Sequence, residues 1–537
     1  MISRICLFTG LLFSCILITA CGKREKAADA GVRDQIFHIG NGGEPQTLDP
    51  HLVSGVPENR ILDNLFEGLV GIDPQSLKPR PVSAERWEIS DDGKTYTFFL
   101  RKNLKWSNGE AITAHDFHYS LNRVLSPKLG TPYIQQFKGI TNAIEYNKGE
   151  ITDFSEVGAK VVDDYTFQLL LDAPNPVLLY YMAYPIFYPV QKANIERFGK
   201  IDERGTSWFT AENMVNNGPF IIKEWITNTH ILLEPNPHYW DRDAVRLNKA
   251  YFHAIESFDT AYRAYQNGQI HVAPNLPQHV IHELEQTRPP DYRSNLYLGT
   301  YHYIFNTKKP PLDDARVRLA LAMTIDRKAI VEQVSQGGEE AAFSFVPPGA
   351  NGYKPAYKVE ENIEKARQLF AEAGYPGGKG FPALSILYNT ADNHRRIAES
   401  IHQMWNKALG IDVELVNMEW KVYLDAKDEG DFQIARQGWV GGIDYASYLD
   451  LFSDYSGNND SGWSNPEFEE LYLKSFSMMD PELRMITVQQ AEEIMLKGMP
   501  AAPIYHYTSN YMVDTRVKNW YDNAVDQRSL KDVYLEE

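Results

Sequence analysis

Cysteine is the side chain best suited to nucleophilic or metal chemistry, and the chain has three, Cys6, Cys15 and Cys21, all near its beginning. No thiol remains for a zinc cluster or a thiolate nucleophile in the body of the chain. Serine chemistry would need a Gly-x-Ser-x-Gly elbow, phosphate chemistry a glycine-rich loop closing on Gly-Lys-Ser/Thr, and zinc hydrolysis a His-Glu-x-x-His helix; none occurs. Ile281-His282-Glu283-Leu284-Glu285 opens like such a zinc helix, but Gln286 stands where the second histidine belongs, so the segment reads as a solvated helix face. The fourteen histidines are placed singly, as at His115 beside Asp116 and at His402, and an isolated imidazole more often caps or faces solvent than it ligates. The chain therefore reads as a binder rather than an enzyme, with no catalytic residue, cofactor or metal.

What the sequence does concentrate is aromatic and polar residues together at turns: Trp106-Ser107-Asn108-Gly109, Pro237-His238-Tyr239-Trp240, Trp420, Trp439, Trp463 and Tyr505-His506-Tyr507. Aromatic rings with polar handles suit a cleft that excludes water while keeping hydrogen-bond partners.

The elements that would position such a cleft alternate between strand and helix. Gln35–Gly40, Tyr96–Leu100, Tyr165–Leu171 and Leu384–Tyr388 read as strands. Pro57–Leu69 reads as a helix with Ile61, Leu62, Leu65, Phe66 and Leu69 on one face, and Arg316–Val334 and His394–Leu409 as further helices. Thr113 with Asp116 three residues on is a helix start; Asp480 caps Pro481, and Gly498 marks that helix's end. The fold class is α/β. At 537 residues the chain is long enough for two to four lobes.

A net charge of -18 argues against nucleic acid as a partner, because phosphates call for clustered Lys and Arg. Residues 1–20 carry one early charge, Arg4, then an apolar run from Ile5 to Ile18, the pattern of a signal peptide. The run closes Leu17-Ile18-Thr19-Ala20-Cys21-Gly22, which resembles the lipobox of bacterial lipoproteins, so Cys21 is expected to carry lipid and hold the protein at a membrane surface, in the periplasm or on the outer face of the cell. Residues 21–34 read as a polar tether.

Motifs spread along the chain then fall in a familiar order. They include Gln46-Thr47-Leu48-Asp49-Pro50-His51, Leu65-Phe66-Glu67-Gly68-Leu69, Lys105-Trp106-Ser107-Asn108-Gly109, Asn217-Gly218-Pro219-Phe220 and Asn236-Pro237-His238-Tyr239-Trp240. Further on come Asp314-Ala315-Arg316-Val317-Arg318, Ile325-Asp326-Arg327, Asn417-Met418-Glu419-Trp420 and Ala435-Arg436-Gln437-Gly438-Trp439. In these the chain resembles the oligopeptide-binding proteins of the peptide and nickel solute-binding family, over nearly its whole mature length. The resemblance implies a type II periplasmic-binding-protein fold of the large three-lobed class. Lobe one would comprise 35–66, 205–298 and 508–537, lobe two 67–204, and lobe three 299–507, with closure by hinge motion. It also implies short peptides as ligands, an ABC permease as the receiving partner and a monomeric protein. The same fold also serves cell-wall peptides, nickel chelates and glycans.

From the resemblance come the site residues. Main-chain partners are implied near Val56 and after Trp439, pocket lining at Tyr133, Asn275, Trp420 and Tyr505, and cations for the peptide's carboxyl end at Lys309, His394 and Arg436. Ser54 replaces an acidic residue that relatives can place near the second side chain, and Lys427 stands where relatives often carry arginine. Relatives hold the amino end with an aspartate shortly after the lobe-three tryptophan. Direct counting puts Gly442 there, and Asp444, with Tyr445, restores the Asp-Tyr pair if two residues are inserted. Asp444 is thus the expected amino-end clamp.

Overall fold

The computed structural model describes residues 25–537; the expected signal segment and Cys21 lie outside them. Two long strands, Tyr292–Phe305 and Ala501–Val513, pair antiparallel at the centre of an eleven-stranded sheet. On one side lie Val272–Ala273, Ile36–Gly42, Lys249–Ala254, His230–Pro235 and Phe220–Ile226; on the other lie Ile434–Val440, Leu384–Asn389 and Val413–Met418. The ladder between the two long strands loses register between Leu296 and Thr300. The lobe boundaries expected at 298/299 and 507/508 fall inside these strands, beside that irregularity. Two crossing strands with a local break in pairing are a simple place for a sheet to bend.

The segment assigned to lobe two carries a separate antiparallel sheet, in the order Ala84–Ile89, Thr95–Leu100, Thr166–Leu170, Ala159–Asp163. Alternate residues Tyr96, Phe98 and Leu100 point inward and are buried, as strand periodicity requires. Helix Ala114–Leu125 covers it, started by the Asp116 carboxylate accepting from the Thr113 N–H at 2.8 Å.

Three expectations need correction. Ala27–Asp34 is a helix, not a free tether: Ala28, Gly31 and Val32 are buried and Asp29 pairs with Arg516 at 2.9 Å. The helix expected over Pro57–Leu69 runs Val56–Leu65 and stops because the Leu65 carbonyl accepts from the Gly218 N–H at 2.8 Å, leaving the helical ladder. The stretch Arg316–Val334 divides into Ala315–Met323 and a new helix at Arg327, since the Asp326 carboxylate caps the Ala329 N–H at 2.8 Å and restarts the chain there. The helix begun at Asp480 does end at Gly498, as expected, and Met499 takes the left-handed turn with φ +48. Glycine at 498 serves close approach: a Cβ there would sit 2.7 Å from Trp463 Nε1.

Candidate functional site

Where the three lobes face one another, a cavity opens between the segment Pro50–Val56, Tyr133, Tyr184, Tyr297, the strand end Gly438–Val440 and the tail residues Val525–Gln527. One wall is an incomplete strand. Ile434–Val440 pairs along its full length with Gly299–Phe305, but on its other edge Leu384–Asn389 reaches only Ile434 and Ala435. From Arg436 to Val440 that second edge has no neighbouring strand. An unpaired edge is a row of amide and carbonyl groups aimed outward, ready for another extended chain.

The first wall is held rigidly from behind. Arg123, fully buried, donates to Asp49 Oδ1 at 2.9 Å and to His51 Nδ1 at 2.8 Å, with its other terminal nitrogen on Asp49 Oδ2. The His51 ring passes the chain on, its Nε2 donating to the Tyr188 carbonyl at 2.9 Å. Burial alone would raise the Asp49 carboxyl; the adjacent guanidinium outweighs it and holds the group below the usual carboxylate range. The segment 49–56 is thereby fixed to the helix Ala114–Leu125.

At the Arg436 end of the free edge sits an aromatic and cationic cluster. The Arg436 guanidinium lies 4.7 Å from the Tyr301 ring centroid, donates to the Tyr507 hydroxyl at 2.7 Å and to Asn389 Oδ1 at 3.2 Å, and has no ion-pair partner among the described residues. Tyr505 stacks on Tyr301 at 4.6 Å, and the buried His394 ring is 5.5 Å away. A partly buried cation supported only by neutral groups is suited to an anion.

Buried acids occur at the cavity, as Asp63 and Asp450, and elsewhere in the fold, as Glu58 and Glu492. Burial pushes the carboxyls of Glu58, Asp63 and Glu492 up to about 7 and that of Asp450 to about 8. Burial likewise pushes the rings of His51 and His302 down to about 4 and that of His506 to about 3. The signs oppose one another. An acid raised on folding contributes stability that is lost as pH rises from its ordinary value through its folded one; a histidine lowered on folding contributes stability that is lost as pH falls below about 6.5. Because four such carboxyls outnumber three such histidines, the melting temperature should decline from about pH 5 towards pH 8, each carboxyl contributing up to ~1.4 kcal/mol per pH unit. Thermal melts across that range check it; a monotonic rise to pH 8 would contradict the assignment.

A family model described as bacterial extracellular solute-binding proteins, family 5 Middle, matches residues 78–460. The chain belongs to that family. The periplasmic oligopeptide-binding protein OppA of Salmonella typhimurium is 34% identical over 539 residues, covering 98% of this chain and 96% of that one. Among solved structures, the complex of Haemophilus influenzae OppA with the peptide RPPGFSPFR superposes with a TM-score of 0.88 at 33% identity, over 94% of this chain and 99% of that one. The Escherichia coli murein tripeptide binding protein MppA gives 0.88 at 34% identity, over 93% and 98% of the two chains. The unliganded open form of MppA gives only 0.62, over 94% and 97%. One relative matching well in one form and poorly in its open form means that the lobes here are drawn together. Members of family 5 are substrate-binding proteins, and the fold is their type II periplasmic-binding fold.

For a family 5 protein, the positions anticipated from sequence divide into groups. Ser54, Val56, Tyr133 and Trp439 line the cavity, the rings of Tyr133 and Trp439 lying 6.0 Å apart. Arg436, His394 and Tyr505 form the cluster at the strand's other end. Trp420 packs over Gly43 and Gly55, close enough that a Cβ on Gly43 would meet it at 2.8 Å, and its buried indole N–H has no partner. Asn275 is half-buried beyond Val272–Ala273, and Lys309 is half-exposed with no ion-pair partner among the described residues. Lys427 is spent on Asp460 at 2.6 Å.

Asp444 does not offer the free carboxylate expected of it. Both its oxygens are taken by Arg484, at 2.6 and 2.9 Å, and Oδ2 also accepts from the Tyr181 hydroxyl at 3.3 Å. Arg484 lies on the helix Pro481–Gly498, forty residues on in the chain. Sequence reading also passed over Asp63, Tyr184, Asp450, Asp526 and Gln527, all of which line the cavity. No periodicity marks the tail residues.

Proposed function

We propose that the protein captures short oligopeptides outside the cytoplasm and delivers them to an ABC importer, the lobes closing over the ligand and breaking no bond. The open edge of this strand, whose part Gly438–Val440 faces the cavity, carries this reading. Main-chain hydrogen bonds suit any peptide, because every peptide has the same backbone, while alternate side chains point into the surrounding space. Val56 and Ser54 on the facing wall supply the other main-chain partners. Tyr133, Asn275, Trp420 and Tyr505 would contact side chains. Arg436, with His394 and Lys309, would receive the carboxyl end, the choice depending on peptide length. The relatives named as oligopeptide-binding and the solved peptide complex support the same reading.

The finer cellular picture rests on sequence. Cys21 would carry the lipid that keeps a monomeric protein beside its permease, and no helix among the described residues is long and apolar enough to cross a membrane.

Mass spectrometry of ligands released from the purified protein should show peptides; a metal chelate or a glycan would redirect the reading within the same fold, and hydrolysed peptides would overturn it. Replacing the anion-receiving cation has a defined consequence. Arg436→Met should weaken peptides whose carboxylate reaches it by about 10- to 100-fold, since a charged hydrogen bond contributes roughly 1.5–3 kcal/mol. Titration calorimetry with di- to pentapeptides checks this, and unchanged affinity at every length would remove Arg436 from the site.

A further inference from the structure

The strand Val413–Met418 stands at one margin of the large sheet, and Lys249–Ala254 lies beyond the two long central strands, seven places away in the strand order. At ~4.8 Å between neighbours, a flat sheet would hold the two roughly 34 Å apart. The residues that follow them nevertheless touch. Glu256, just past the second strand, accepts from the Trp420 N–H at 3.4 Å, and Trp420 comes just after the first. The sheet has to bend for this contact to form, so the seam exists only while the halves of the sheet are drawn together.

The seam buries carboxyl groups without basic partners. Glu419 caps the helix Trp420–Asp428, its Oε2 accepting from the Lys421 and Val422 N–H groups at 3.0 and 3.3 Å. Its other oxygen is buried with no donor, and the Glu256 carboxyl lies beside it. On the other flank of the Trp420 ring Glu58 is 1% exposed; its Oε1 accepts from the Gln46 N–H at 2.8 Å and its Oε2 has no donor. Glu44, whose charge reaches Glu58, accepts from Trp225 Nε1 at 2.7 Å and from the Asn228 N–H at 2.8 Å. Farther along, Asp425 accepts from Gln46 Nε2 at 2.7 Å, and Lys421 is exposed. The cations of the adjoining cleft are engaged elsewhere, Arg395 with Asp392 and Glu399, Arg396 with Gln278, and His279 beside Asp259. Among the described residues no basic group pairs with Glu256, Glu419 or Glu58.

Two buried carboxyls in contact cannot both ionise, because their repulsion adds to the cost of desolvation. Burial raises the Glu256 carboxyl above its ordinary value, and Glu419 beside it raises it further. We propose that Glu256 and Glu419 form a proton latch between the halves of the sheet: closure takes a proton from solvent onto the facing carboxyls, and opening returns it. The latch rests on the closure over a peptide proposed above. Open, both carboxyls are solvated and ionise near the ordinary ~4.3; closed, the shared proton persists to higher pH. Binding should therefore weaken as pH rises through that interval, by up to about tenfold per pH unit.

Titration calorimetry with di- to pentapeptides lacking ionisable side chains, at about pH 5 and about pH 7, tests the latch. Both conditions lie below the range in which peptide amino groups lose their protons. The wild-type affinity should fall by about threefold or more between them. Glu256→Gln brings its own N–H to Glu419, so it should match the wild type within about twofold at the lower pH and bind about threefold or more tighter at the higher. Glu419→Gln, which keeps an oxygen for the Lys421 and Val422 N–H groups, should behave alike, so that misfolding of one variant leaves the other decisive. At about pH 6, in buffers of different ionisation enthalpy, the wild-type protein should take up more protons on binding than either variant. A ratio of variant to wild-type affinity that stays constant between the two conditions, or equal proton uptake in all three proteins, would overturn the latch while leaving peptide binding intact. Recovery of the wild-type affinity at the higher pH by millimolar calcium chloride would put a cation, not a proton, in the seam and overturn it as well. Failure of the wild-type protein to bind any of the peptides at either pH would overturn the peptide reading, and the latch's coupling to it.

Discussion

Arg123→Ala should lower the protein's stability by about 3–5 kcal/mol, the usual cost of leaving a buried partner charge uncompensated. The substitution strips Asp49 and His51 of their shared donor in a place with no access to water. Both remaining groups would then have to be neutralised or hydrated, and the segment behind them would loosen. That segment contributes Pro50, Val53, Ser54 and Val56 to the cavity. The variant should therefore lose ligand affinity as well as thermal resistance, and binding should recover more than stability when temperature is lowered. Chemical denaturation followed by tryptophan fluorescence measures the first effect. A loss under about 1 kcal/mol would mean that the pair is solvated and does not anchor the wall.

Asp444→Ala separates the reading from sequence from the reading from structure. As an amino-end clamp, its loss would weaken peptides by about tenfold or more while leaving the fold sound. As the partner of Arg484, its loss leaves a guanidinium buried beside Tyr445 and Tyr181, and the expected cost is again about 3–5 kcal/mol of stability. The second outcome is the one the geometry supports. Once folded, the variant should still prefer free-amine over acetylated peptides, because the Asp444 carboxylate was already occupied by Arg484. Denaturant midpoints and calorimetry on the same preparation distinguish the cases: a normal midpoint with lost amine preference would restore Asp444 as the clamp.

Much of the architecture was legible along the chain because it depends on neighbours a few residues apart. The capped starts at Thr113 and Asp480 and the alternation of Tyr96, Phe98 and Leu100 are local matters, and the structure has them where spacing placed them. Local reasoning failed where a distant group intervened. The helix after Val56 stops at Leu65 because Gly218 takes a carbonyl, and the segment before Gln35 is helical because sheet residues and Arg516 receive it.

The same division governs the site. The order of the motifs, through their likeness to a known family, was enough to place this chain among solute binders from sequence alone. Only the tertiary structure decided which charges are available to a ligand. Asp444 and Arg436 are eight positions apart, yet one is neutralised by Arg484 and the other has no ion-pair partner among the described residues. Chain spacing records what a side chain is; whether its charge is free depends on what folds against it through space.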